Sequence, residues 1–494
     1  MTAFEQTMSL GDARSGRATA GRRVIAVDLD GTLIRSDLLV ESVFLMLRYQ
    51  PLLFLKALFW LLKGKAYFKR RVADVATPVI ATLPFNKPLV AWLESQKALG
   101  DVHLVLATAS DARLARQVAD HLGIFDEVLG TEAKNLASAH KRDALVSRYG
   151  EQRFEYVGNS TADLDVWRSA NVAHVVNPEF NVLARARRLG RLGEVFDDRV
   201  GYLRVLRKAL RLHQWAKNLL VFVPLLATHK LSHWQLLGDC ALAFLCFGAC
   251  ASSVYLLNDL LDLKDDRRHR TKCNRPLAAG TFPVFHAMVW MPALLVFAFG
   301  ASLLWLPARF AVVLGVYYLL TLAYSLWIKR VVMLDVVTLA MLYTVRVVAG
   351  AAAIVAPLTF WILAFCIFMF LSLAFVKRYT ELYEAREQGR DDAAPGRGYE
   401  VQDFELLASL GGSSGYLSVL VLALYINDVA SLHLYGHPKV LWVACPLLLF
   451  WLSRVWLIAH RGRMNDDPIV FALRDRVSRW IGIAFAATFV AAAF

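Results

Sequence analysis

From Asn218 to the C-terminus, apolar stretches of membrane-spanning length recur between short polar loops, whereas residues 1 to about 200 alternate short apolar runs with ordinary polar text. About 20 apolar residues are needed for an α-helix to cross a hydrocarbon core. The pattern therefore predicts an N-terminal α/β domain followed by an all-α polytopic membrane bundle. Nine spans are expected, at about 217–228, 235–257, 283–304, 310–328, 333–355, 358–376, 404–426, 440–460 and 480–494, the first of them short. Pro224 and Pro446 are tolerable inside such helices. Residues 1–22 lack the apolar core of a signal peptide and read as a disordered tail; 23–195 form the α/β domain, with an apolar helical stretch at about 36–85, 196–216 a basic linker and 217–494 the membrane domain.

Composition agrees with this division. The chain is 57% hydrophobic with a mean hydropathy of +0.44, too apolar for one water-soluble body of 494 residues. Its net charge of +14 does not point to nucleic acid, because the bases gather in alternate loops of the membrane half and in the linker. If the N-terminal domain is cytoplasmic, loops 258–280, 329–330, 377–403 and 461–479 share its side and hold eighteen Lys and Arg, against three (Lys230, Arg309 and Lys439) in the opposite loops. This asymmetry predicts a multi-pass protein of the cell inner (plasma) membrane. Cys240, Cys246, Cys250, Cys366 and Cys445 lie in apolar runs, Cys273 lies in a loop, and no CxxC pair occurs. They read as small buried side chains.

The loop NDLLDLKDDRRHRTKCNRPLAAG, residues 258–280, concentrates acids and bases between two apolar spans. On a helix Asn258, Asp262 and Asp266 fall at i, i+4 and i+8, with Asp259 one residue round. Carboxylates gathered at a membrane boundary need neutralising cations, and hard oxygen ligands beside a polyanionic substrate suit Mg2+. Arg267, Arg268, Arg270, Lys272 and Arg275 can hold phosphates, or can form a solvated loop that enforces topology. The series Asn258-Asp259-x-x-Asp262-x-x-x-Asp266, with Arg275-Pro276-Leu277 and Gly280, resembles the first aspartate-rich motif of the UbiA superfamily of intramembrane prenyltransferases. That resemblance implies that the acids chelate Mg2+ on a departing diphosphate.

A second acidic motif is expected after Tyr324 and Lys329, but only Asp335 is present and Leu339 takes the place of the next acid. Arg346 lies deeper in the same span, where a charge calls for an anionic ligand or for an acid such as Asp335 as a structural partner. With Gln214-Trp215-x-Lys217-Asn218, Lys377-Arg378-Tyr379-x-Glu381, Asp467-Pro468-x-x-Phe471 and Arg474-Asp475-Arg476, the chain resembles the branch that transfers phosphoribose to polyprenyl phosphate. The resemblance implies a phosphoribosyl pyrophosphate donor and a polyprenyl lipid acceptor, both met at the bilayer. Asp259, Asp262 and Asp266 would hold Mg2+-pyrophosphate; Lys217, Asn258, Arg275, Tyr324, Lys329, Asp335, Arg346, Lys377, Arg378 and Arg474 would line the substrate site.

In the N-terminal domain, RVIAVDLDGTL is a buried-strand pattern that ends in two acids and a glycine turn, and HLVLATAS and FEYVGNSTADLDVW supply two more strand ends. Ligands bind at such ends in parallel α/β sheets. In this order the motifs resemble the haloacid dehalogenase (HAD) phosphatase superfamily, a Rossmann-type parallel sheet with a helical cap. The resemblance implies Asp28 as nucleophile, Asp30 as general acid/base, Thr108 and Lys141 on phosphate, and a Mg2+ site of Asp28, Asp30, Asn159 and Asp163. Asn159 stands where that superfamily often has an acid. The cap stretch SVFLMLRYQPLLFLKALFWLLKGKAYFKRR reads either as ordinary cap core or as a surface resting on the membrane interface.

Three functions remain in view. The two halves together predict a Mg2+-dependent phosphoribosyl transfer to polyprenyl phosphate, followed by removal of the 5-phosphate. A prenyltransferase using prenyl diphosphate with a regulatory HAD domain is the second, and a non-catalytic membrane scaffold the third; self-association is open in each.

Overall fold

The computed structural model describes residues 22–132, 136–228, 230, 232–269, 271–387, 389, 398–428, 435–464 and 467–493. The expected tail, apart from Arg22, and Arg270 lie outside the described residues. The chain divides into two compact units: residues up to 209 with 259–289, and residues 210–258 with 290–494. The acid-bearing segment that begins at Asp259 is therefore part of the first unit.

The first unit is built on six parallel strands, β1 (Arg23–Val27), β2 (Val102–Asp111), β3 (Glu127–Thr131), β4 (Phe154–Gly158), β5 (Val172–Val176) and β6 (Leu192–Phe196), in the order β3-β2-β1-β4-β5-β6. Strands covered on both faces are apolar at nearly every position, as RVIAV and FEYVG are. Alternate residues of β1 feed opposite cores: Ile25 and Val27 pack with Leu104, Leu106 and Val157, whereas Val24 and Ala26 pack with Val105, Phe154 and Trp167. The strand order reverses at β1, and there Val27 pairs with both Leu106 and Val157. Asp28, Thr108 and Asn159 follow these paired residues by one or two positions, so register alone places them at one end of the sheet. Four α-helices lie between β1 and β2; the first three, α1 (Leu38–Tyr49), α2 (Pro51–Trp60) and α3 (Lys65–Val75), share a small core of Met46, Ala57, Val72 and Ala76, and Lys87–Ala98 leads into β2.

Glu155 on β4 shows how this sheet keeps a buried charge. Burial acts to raise its pKa, but hydrogen bonds from His174 (2.8 Å) and Arg23 (2.5 and 2.7 Å) outweigh it and hold the carboxyl at about 2, below the ordinary 4.5. A carboxyl depressed by folding stabilises fully above its unfolded pKa, and that contribution drains as pH falls toward the folded value. Glu155→Gln is expected to cost about 1–3 kcal/mol at neutral pH. Urea titrations should also show that the variant loses less stability than the wild type between pH 4.5 and about 2.

Among the described residues, seven helices are long and apolar enough to cross a membrane: Trp234–Leu261, Val284–Trp305, Ala308–Leu326, Leu334–Ala353, Phe360–Glu387, Val401–Ile426 and Pro438–His460. Two of the nine expected spans fall outside this set. The stretch at 217–228 forms eleven residues of 3-10 helix, Leu212–Phe222, and a five-residue helix, Val223–Ala227. The final helix, Arg476–Ala493, opens with Arg476 and Arg479, which shorten its apolar part. Trp234–Leu261 and Leu334–Ala353 each bury 67% of their apolar window, more than the other five, and so supply the interior of the bundle. Thr321 donates to Tyr317 O (2.7 Å) and Thr344 to Ala340 O (2.9 Å) within their own helices, whereas Ser372 donates to Gly411 O (2.7 Å) on the neighbouring span.

Candidate active sites

In the first unit, the turn after β1 brings two acids against the ends of β2 and β4. Gly31 has φ +75°, and a Cβ there would lie 2.4 Å from Asn159 Nδ2, so the turn needs glycine for both conformation and space. Asp28 is 8% exposed, and its Oδ1 accepts from Lys141 Nζ at 2.7 Å. Lys141, from the helix Ala139–Tyr149, also donates to Tyr156 Oη (2.9 Å), which in turn donates to Asp163 Oδ1 (2.8 Å). Asp163 Oδ2 accepts from Asn159 N, Ser160 N and Ser160 Oγ at 2.9–3.0 Å. Both Asp163 oxygens are thus engaged by the protein.

Asp30 faces a different set. Its Oδ1 accepts from Leu38 N (2.9 Å), the first residue of α1, and its Oδ2 accepts from Ser110 Oγ (2.6 Å) and, at 3.5 Å, from Thr108 Oγ1. Burial pushes Asp28 up to about 6 against the pull of Lys141; burial and the Asp37 charge push Asp30 up to about 7. Lys141 moves upward, because Asp28 and Asp163 outweigh the cost of its burial. One acid paired with a lysine and a second poised near neutrality is the division of labour expected of a nucleophile and a general acid.

The sequence did not single out Lys69, Tyr156 or Ser110 as site residues. Lys69, in the stretch read either as cap core or as a membrane-interface surface, reaches inward from α3 and donates to Ala109 O at 2.6 Å. Burial lowers its pKa against the attraction of Asp30 and Asp37. Helical spacing could have shown which face of α3 it occupies, but not which strand end that face meets.

The aspartate-rich segment departs from one continuous helical face. Trp234–Leu261 ends just before Asp262, which begins α6 (Leu263–Arg268, taking Ala139–Tyr149 as α4 and Trp234–Leu261 as α5). A turn from Asp266 N to Asp262 O (2.8 Å) carries the chain on. Asp259 and Asp266, both 3% exposed, nevertheless converge: Arg275 Nη1 donates to Asp259 Oδ1 (3.1 Å) and to Asp266 Oδ2 (2.6 Å). Burial raises Asp266 even with Arg275 against it.

These two acid sets fit a divalent cation in their chemistry, since burial pushes Asp28 and Asp30 upward in the first and Asp266 in the second. No group of three or more His, Cys, Asp or Glu side chains among the described residues could hold a metal ion. Amide, backbone and substrate oxygens would therefore have to complete either coordination shell, as Mg2+ tolerates.

The second unit holds the remaining predicted residues. Arg346, 4% exposed, donates to Asn218 Oδ1 (3.0 Å), Tyr317 Oη (3.1 Å) and Leu342 O, and lies over the rings of Phe247, Tyr317 and Tyr343. All these partners are neutral. Asn218 Nδ2 is buried with no hydrogen-bond partner among the described residues. Asp335 pairs not with Arg346 but with Arg378, whose Nε lies 2.6 Å from Asp335 Oδ2. Tyr399 donates to Asp335 Oδ1 at 2.5 Å, and Arg378 also meets Glu381 and Tyr324 Oη. Lys217 is buried against Asp467, which caps the helix Pro468–Arg474 and is held below the usual carboxylate range because Lys217 and Lys377 outweigh its burial. Lys377 and Lys329 are half-buried, as is Asn258 at the end of α5, whereas Arg474 is exposed.

Known proteins match the C-terminal half of the chain and, in one case, nearly all of it. Residues 219–476 match the UbiA prenyltransferase family. The uncharacterized protein y4nM of Sinorhizobium fredii is 35% identical over 468 residues, covering 94% of this chain and 90% of its own length. The decaprenyl-phosphate phosphoribosyltransferase of Mycolicibacterium smegmatis is 30% identical over 292 residues, 58% of this chain and 92% of that enzyme. A HAD-family hydrolase from Salmonella enterica aligns with 35% of this chain and 67% of its own at 15% identity and a TM-score of 0.26.

Proposed function

Because the chain belongs to the UbiA prenyltransferase family and is a multi-pass membrane protein, we propose that it transfers 5-phosphoribose from phosphoribosyl pyrophosphate to a polyprenyl phosphate, and that its N-terminal unit then removes the 5-phosphate. The observation that carries this reading is the Arg346–Asn218 pair: a buried guanidinium with neutral partners beside a buried, unpartnered amide donor. Such a place attracts an anion, since charge inside a bundle is costly unless something compensates it. The acceptor phosphate and the donor's phosphates are both candidates to fill it, with Lys329 and Lys377 as further contacts.

The choice of donor follows from Asp335. A prenyl diphosphate site of the two-motif kind needs a second acidic cluster, but Leu339 lacks the acid and both oxygens of Asp335 are taken by Arg378 and Tyr399. One acidic cluster remains, Asp259, Asp262 and Asp266, to face one pyrophosphate. Bound there, Mg2+ would stabilise the charge that develops on the leaving pyrophosphate. Arg275, already shared by Asp259 and Asp266, is placed to yield its carboxylates and turn to the phosphates.

In the phosphatase, Asp28 attacks the 5-phosphate while Lys141 holds it ionised, and Asp30 gives its proton to the leaving ribose oxygen. Asp163 orients Lys141 and Tyr156 and, with Asp28, Asp30 and Asn159, would hold Mg2+. Thr108 is the phosphate contact.

The charge asymmetry of the loops supports a cytoplasmic N-terminal unit in the inner membrane. Residues on both sides of 210–258 belong to that single unit. If α5 crosses the bilayer once, residues 210–233 must cross it too. At about 2.0 Å per residue for the 3-10 stretch and about 1.5 Å for the short helix, Leu212–Ala227 reaches ~30 Å, the thickness of a hydrocarbon core.

The purified protein with labelled phosphoribosyl pyrophosphate and polyprenyl phosphate should form lipid-linked label only when Mg2+ is present. Excess prenyl diphosphate should not suppress it. Absence of such label ends the transferase assignment, and strong competition by prenyl diphosphate transfers it to the prenyl donor.

A further inference from the structure

Inside the first unit, one ion pair ties the phosphatase cap to the aspartate-rich segment. Arg267, the residue after Asp266, donates from Nη2 to Glu41 Oε1 at 2.6 Å and from Nη1 to Glu41 Oε2 at 3.2 Å, and its Nε reaches Ala278 O at 3.3 Å. The two side chains are 6% and 4% exposed. All three guanidinium nitrogens are therefore occupied, in the two-pronged geometry that arginine forms with a carboxylate. Glu41 lies one turn into α1, whose first amide, Leu38 N, is bonded to Asp30.

A second contact anchors the same segment. Gly280 closes it with φ +69°, and a Cβ there would sit 2.8 Å from Arg35 Cβ and 3.0 Å from Pro84. Neither the sheet nor the cap needs this arginine for its own core. Asp262 is the N-cap residue of α6 and Asp266 lies within it beside Arg267, so a loose guanidinium on that helix would compete with any cation they recruit. A cavity of about 230 Å3, lined by Glu41, Arg267, Phe44, Met46, Leu260 and Leu263, gives such a guanidinium room to turn.

We infer that Glu41, a residue of the phosphatase cap, is a positioning residue for the transferase: it withdraws Arg267 from Asp262 and Asp266 and fixes the helix that presents them to the donor's pyrophosphate. The inference rests on reading these acids as the pyrophosphate site. It makes the N-terminal unit part of the transfer machinery, beyond any phosphatase step it performs. The transferase's acidic motif is then fully arranged only when the cap helix is in place.

The test uses full-length protein in detergent, with inorganic pyrophosphate and Mg2+ as the probe, titrated calorimetrically. Far-UV circular dichroism at the assay temperature checks that each variant is folded. E41Q keeps the shape of Glu41 but releases the charge on Arg267, and pyrophosphate should bind roughly tenfold more weakly. E41Q/R267M removes the released guanidinium along with its partner, and binding should return to within about threefold of the wild type. If E41Q does not fold, E41A takes its place in the comparison: weaker binding restored by removing Arg267 as well supports the inference, and wild-type binding by E41A overturns it. Unchanged binding by E41Q overturns the inference, as does a double variant that is folded yet as weak as E41Q. Failure of the wild type itself to bind pyrophosphate overturns the donor-site reading, and the inference with it.

Discussion

Asp28→Asn is expected to stop phosphate-ester hydrolysis by this chain while leaving lipid-linked transfer in place. The carboxylate that would attack phosphorus is buried and held by Lys141 at 2.7 Å, and an amide in its place is no nucleophile. Removing the nucleophile from a catalytic set that acts as a unit lowers kcat by on the order of 10^3 to 10^6. The fold should survive, because the asparagine Oδ1 can still accept from Lys141, and Asp163 remains 3.7 Å from the same ammonium. With labelled phosphoribosyl pyrophosphate, the variant should accumulate the phosphorylated ribosyl lipid that the wild type converts. A product mixture identical to the wild type's would remove the N-terminal unit from this reaction sequence. Asp30→Asn is the internal control. It spares the nucleophile but removes the proton donor, so it should slow esters with poor leaving groups more than activated aryl phosphates.

Much of this arrangement was legible from residue spacing, and the parts that were not share a cause. Two acids one residue apart after a buried strand, with glycine next, fix a turn at a sheet end whatever the rest of the chain does. Sequence order then brings Thr108, Lys141 and Asn159 to the same end through strand register. Apolar length marked the seven long helices in the same way, but it does not show that the run at 217–228 folds largely as 3-10 turns or that the last helix opens with two arginines. Partner choice is what spacing leaves open. Asp335 and Arg346 are eleven positions apart on one span, yet Asp335 bonds Arg378 on the next, 43 residues away. Similarly, the loop 258–280 lies between two spans in sequence, and only tertiary packing shows that it folds with the N-terminal unit. The motif that carries Asp163 likewise does not show that Tyr156 and Ser160 donate to its oxygens.

The two buried arginines of the bundle should respond to substitution in opposite ways. Arg378→Met leaves the buried Asp335 carboxyl with Tyr399 as its remaining hydrogen-bond partner among the described residues, and breaking such a pair costs about 3–5 kcal/mol. That variant should be recovered poorly and melt early. Arg346→Met removes a charge that has no carboxylate among its described hydrogen-bond partners. A buried charge without compensation opposes folding, so this variant should be at least as stable as the wild type in a detergent melt. Its transfer rate, however, should fall by about 10^2–10^3, the usual loss when one preorganised donor to developing charge is removed. Arg346→Lys should recover little, because a single ammonium cannot span Asn218, Tyr317 and an incoming phosphate as the planar guanidinium does. The contrast separates an arginine kept for the fold from one kept for an anion. If Arg346→Met lowers stability and leaves transfer intact, the guanidinium is a structural element and the anion must bind elsewhere in the bundle.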